Sequence, residues 1–116
     1  MSPKNKKKLL VLRRKLDLVD NKLLNLLKIR STYVKNVLSL KEFKKEIIDR
    51  KRIEIILKNI KSKSVKKGID PKVSHRIWKN MIYAFIEYEY KNFKKKSKII
   101  TCYVVVIFFL QKFHAF

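Results

Sequence analysis

The chain has 116 residues and a formal net charge of +22, with 31 basic residues against nine acidic ones. One glycine and two prolines supply too little turn chemistry for a β-rich fold and favour long helices with few connections. A single cysteine excludes an internal disulfide, two isolated histidines give no zinc-ligand spacing, and one glycine excludes the Gly-rich nucleotide-binding loops. The charge itself suits a polyanion or an anionic surface. The same excess of Lys, Ile and Asn, with Ala and Gly scarce, is also what an AT-rich genome produces. Charge alone does not name the partner.

Residues 1–8 form a basic leader without an apolar core and so not a secretory signal; a frayed helix start fits it better than an organelle-like basic arm. From Leu9 to Lys41 the spacing predicts one long helix. Its apolar residues Leu12, Leu16, Val19, Leu23, Leu26, Val34 and Val37 follow steps of three and four, so they share a stripe. Arg30 fills the gap between Leu26 and Val34, and Lys41 continues the stripe after Val37. A cation facing a core needs an anion to meet it. A helix of this length makes a rod of roughly 50 Å, too long to bury its stripe in a compact monomer, so a homodimer is expected.

A polar connection, Glu42 to Ile48, leads to Asp49 as the cap of a second helix that carries Ile53, Ile56, Leu57 and Ile60. The run Lys66-Lys67-Gly68-Ile69-Asp70-Pro71 punctuates the chain clearly. It places Gly68 just past a helix end, Asp70 at an N-cap and Pro71 at the first helical position. The third helix, from Pro71 to about Lys96, carries two apolar stripes: Val73, Ile77, Met81, Ala84 and Tyr88, and Trp78, Ile82, Phe85 and Phe93. Glu89 lies one turn beyond Phe85 on the second stripe, an acidic counterpart of the anomaly at Arg30. The tail, residues 98–116, contains a twelve-residue apolar run from Ile99 to Leu110. A buried strand, a membrane-surface segment, a dimer contact and a non-native extension all fit it; a full membrane span wants about twenty such residues.

The polar residues that interrupt the helical pattern form a set: Arg30, Lys41, Asp49, Arg52 and Glu89, with Arg13 one residue off the first stripe. Arg13 stands about 25 Å along the rod from Arg30. In an antiparallel dimer it would therefore serve the other chain's pocket. Several cations around one cavity suit a small dianion better than a polymer. Taken singly, each has a plainer reading: an edge arginine, a cap with a helix-surface pair at Asp49 and Arg52, or a glutamate paired with a nearby lysine.

Leu12-Arg13-Arg14-Lys15-Leu16-Asp17-Leu18-Val19-Asp20, followed by Leu23-Leu24 and Arg30, resembles the opening of the all-helical (type II) chorismate mutases. Lys41, Asp49, Arg52 and Gly68-Ile69-Asp70-Pro71 continue the match in order, so it covers roughly residues 9–95. Tyr33-Val34-Lys35, the spacing from Lys41 to Arg52 and the aromatic third helix are also similar to the related isochorismate pyruvate lyases.

The resemblance implies an all-α, intertwined homodimer whose helical domain spans residues 9–97. The implied activity is that of an isomerase turning chorismate into prephenate, in aromatic amino-acid biosynthesis, without cofactor or metal and in the cytoplasm. Arg30 and the partner subunit's Arg13 would bind the two carboxylates, and Lys41 would donate to the ether oxygen whose bond breaks. Asp49 and Arg52 would line the region of the ring hydroxyl and enolpyruvyl group, and Glu89 would stand where many relatives have Gln. Lys41, Glu89 and Arg30 are the expected catalytic residues.

Three departures mark this chain. Ile53 replaces a Glu found in many mutases, Phe85 replaces a Ser found in some, and Glu89 must be protonated to donate to an ether oxygen. The alternatives are the lyase on the same scaffold, a folded but inactive relative and, in a different class, a basic helical nucleic-acid-binding module. The latter predicts steeply salt-dependent binding indifferent to Arg30. Neither a nucleic acid nor a membrane is the expected partner.

Overall fold

The computed structural model describes residues 1–94. Among these the chain is all-α: α1 (Pro3–Leu40), a single 3₁₀ turn (Lys44–Glu46), α2 (Arg50–Lys66) and α3 (Pro71–Asn92). The 98–116 tail and its apolar run lie outside the described residues. No helix of the described residues is long and apolar enough to cross a membrane. The chain divides into two compact units, one of Met1–Val37 and one beginning at Leu38.

The first unit is helical almost from its first residue. The Ser2 hydroxyl accepts a hydrogen bond from the Asn5 N–H at 3.2 Å, and the Ser2 carbonyl accepts from the Lys6 N–H at 2.9 Å. Pro3 sits at the first helical position, where its missing N–H costs nothing. The helix therefore starts six residues before the predicted Leu9, and most of the basic leader forms its first turns. At 38 residues, α1 is about 57 Å long. Mid-helix hydroxyls do not interrupt it, because Ser31 and Thr32 donate to the carbonyls of Leu27 and Lys28 at 2.8 and 3.2 Å.

The second unit is organised by its caps. The Asp49 carboxylate accepts from the Arg52 N–H at 3.0 Å and starts α2. At the far end Gly68 adopts φ +73°, and two hydrogen bonds close the turn: Gly68 N–H to the Val65 carbonyl and Ile69 N–H to the Ser64 carbonyl. That is a Schellman motif, which favours glycine at its left-handed residue. Asp70 then accepts from the Lys72 N–H at 3.0 Å with Pro71 as the first residue of α3. Local chemistry thus sets the ends of α2 and α3 and the turn between them.

Packing buries a face of α3 that neither expected stripe matches in full, since Ile86 lies on neither. Ile82 and Ile86 are buried with Ile47, and Leu38, Ile53, Ile56, Leu57 and Phe93 pack around them. Val73 and Ile77, on the first stripe, stay more than half exposed, while Met81 and Tyr88 of the same stripe are half-buried. Ser64 and Ser74 are buried near the hairpin turn, and each donates its hydroxyl to a carbonyl four residues back. The helix ends at Asn92 rather than near Lys96. Asn92 turns its amide back to the Tyr88 carbonyl at 2.9 Å, and Phe93 is extended and packs against the core.

Candidate functional site

The buried face of α3 carries Ile82, Ile86 and then Glu89, in helical steps of four and three. Glu89 is only 6% exposed, and a carboxyl removed from water to that extent needs a compensating partner. Lys41 supplies it. Its ammonium lies 3.5 Å from both Glu89 carboxyl oxygens and donates as well to the Ile47 carbonyl at 3.4 Å.

Each of these groups is placed by a different element. Lys41 follows the last turn of α1, its own N–H bonded to the Leu38 carbonyl at 3.1 Å. Glu89 is carried by α3. Ile47, at 3% exposure, is the most buried apolar side chain of the core, and its anchoring fixes the carbonyl that holds the ammonium. Sequence reasoning placed Ile47 in a polar connection and missed it. The signal available was Ile47-Ile48, two adjacent apolar residues in an otherwise charged loop.

The contacts at 3.4–3.5 Å are long beside the ~2.7–2.9 Å of tight charge-assisted hydrogen bonds. The ammonium is held by attraction from three oxygens rather than by one short bond. An ammonium so poised can stabilise negative charge that develops on a nearby oxygen, the chemistry of an oxyanion-type site.

The other expected site residues divide by unit. Lys41, Asp49, Arg52, Phe85 and Glu89 belong to the second, Arg13 and Arg30 to the first. The structure brings Lys41 and Glu89 together. Asp49 and Arg52 are joined through the capping bond, carboxylate to backbone N–H, and both side chains are exposed. Phe85 is half-buried on the core-facing side of α3, and Arg13 is exposed on α1. Ile53, where many mutases have Glu, packs against the core. Among the described residues no group of three or more His, Cys, Asp or Glu side chains is placed to hold a metal ion.

Compared with models of known protein families, the chain matches chorismate mutase type II over residues 12–90. No curated protein and no solved structure gives a significant match.

Proposed function

The chain belongs to the chorismate mutase type II family, and from that membership we propose that it rearranges chorismate to prephenate in a homodimer. The observation that carries the proposal is the Lys41–Glu89 pair, an ammonium donor beside a buried carboxyl. In this reaction the ether C–O bond breaks without a covalent enzyme intermediate, so the protein's contribution is to hold the reactive conformer and meet charge on the ether oxygen. Lys41 donates to that oxygen. Arg30 and the partner subunit's Arg13 clamp the two carboxylates, and Asp49 and Arg52 flank the ring hydroxyl and enolpyruvyl group.

Glu89 plays its part as the neutral acid. As a carboxylate it accepts from Lys41 but repels a dianion; protonated, it donates to the ether oxygen and leaves Lys41 to do the same. Turnover is expected to rise as pH drops below neutral, and Glu89→Gln is expected to flatten that profile. A flat wild-type profile with a fully active Glu89→Gln variant would contradict this role.

The decisive assay follows chorismate absorbance with purified protein. Chorismate consumption that Arg30→Ala cuts by roughly 10²-fold or more supports the reading. No consumption, or an unchanged rate in that variant, overturns it. The apolar Ile53 favours a second reading, isochorismate pyruvate lyase, which also lacks the Glu there. Product analysis separates the two: prephenate from chorismate, or salicylate and pyruvate from isochorismate.

A further inference from the structure

The segment between α1 and α2 contains a carboxylate that the reaction as described does not use. Glu46 is exposed, yet one of its oxygens accepts from two backbone donors, the Glu42 N–H at 2.8 Å and the Phe43 N–H at 3.3 Å. Phe43 precedes the 3₁₀ turn and has no side-chain acceptor, so only the returning half of a capping box can form. The turn itself closes through Glu46 N–H to the Phe43 carbonyl at 3.0 Å and Ile47 N–H to the Lys44 carbonyl at 3.1 Å.

These bonds form a ring around Lys41. Its neighbour Glu42 is tied to the Glu46 side chain, Glu46 is bonded covalently to Ile47, and the Ile47 carbonyl holds the Lys41 ammonium. The Ile47 side chain anchors one point of the ring in the core. Both ends of Lys41, backbone and ammonium, are thus fixed relative to one another by a loop with no glycine or proline of its own. Without the Glu46 carboxylate, the N–H groups of Glu42 and Phe43 lose their shared acceptor and turn to water. Only the Glu46 N–H bond to the Phe43 carbonyl then holds residues 42–43 to the turn that presents Ile47.

We propose that Glu46 is a positioning residue for the reaction: it orders the 41–47 loop so that the Lys41 ammonium is held at the Ile47 carbonyl and Glu89, ready to meet the substrate oxygen. This rests on the mutase reading for its catalytic consequence, though not for the ring of hydrogen bonds.

The test uses full-length protein with Glu46→Ala, Glu46→Gln, Lys41→Met and the double variant Glu46→Ala/Lys41→Met. Misplacing a catalytic group by about an ångström costs up to ~10²-fold, so Glu46→Ala should lower kcat by roughly 10- to 100-fold with KM changing less. Glu46→Gln keeps a carbonyl acceptor and should restore most of that rate. In the Lys41→Met background the Glu46→Ala change should be silent, because the group it positions is gone. Unchanged kcat in Glu46→Ala, no rescue by Gln, or losses that multiply in the double variant would each overturn the proposal. Urea unfolding of the same four proteins gives a reading independent of turnover. Midpoint shifts that are non-additive between Glu46→Ala and Lys41→Met support the linkage, and strictly additive shifts overturn it. Absence of chorismate turnover in the wild type would sink the mutase reading while leaving the urea cycle to decide the role of Glu46.

Discussion

α1 and α3 follow the same helical spacing of apolar residues and meet opposite fates. In α3 the stripe is covered within the chain, with Ile82, Ile86 and Glu89 buried. In α1 Leu12, Leu16, Val19, Leu23 and Leu26 remain between 50% and 62% exposed. Periodicity identifies the face that packs but not the molecule that covers it. Glu89 finds Lys41 within its own unit, and a carboxyl held inside an apolar stripe becomes half of a charged pair.

The sharpest break of this contrast is Lys41→Met, which removes the cation and keeps a similar apolar stem. Turnover is expected to fall roughly 10²- to 10³-fold in the chorismate assay. Glu89 also loses its cation, so the thermal midpoint should drop as well. Retention of both would show that α3 tolerates its carboxyl without help from the end of α1.

A second pair of variants asks which stripe is covered by what. Ile82→Ala should cost about 2–4 kcal/mol in urea unfolding at any protein concentration, since its neighbours belong to the same chain. Leu23→Ala is expected to be costly only if a second copy covers α1, and its midpoint should then depend on protein concentration. Sedimentation equilibrium of Leu23→Asp sharpens the point: a monomer mass, where the wild type gives a dimer, assigns the stripe to self-association. A monomeric wild type would leave that stripe without its proposed cover.

The smallest effects belong to the local signals. Asp70→Ala removes the cap of α3 and should cost about 1 kcal/mol. Gly68→Ala should cost a similar ~1 kcal/mol from the left-handed backbone alone, because nothing lies within 4 Å of the added methyl. Equal stabilities of variant and wild type in calorimetry would show that the α2–α3 hairpin is held by packing rather than by its turn.

What the sequence determined by itself was governed by neighbours along the chain. The caps at Asp49 and Asp70, the glycine past α2 and the helical class all rest on interactions within a few residues, so local chemistry specifies them. Even the early start of α1 was written there, as Ser2 followed by Pro3, though the lysines that follow drew attention to charge instead. Among the candidate site residues, Lys41 and Glu89 were each visible as polar breaks in an apolar pattern. Their pairing spans 48 positions, and only tertiary packing decides it. The same packing buried Ile82 together with Ile86, which lies on neither stripe expected for α3, and buried Ile47 from within a charged loop. Burial depends on what the rest of the chain brings near, and no local pattern contains that information.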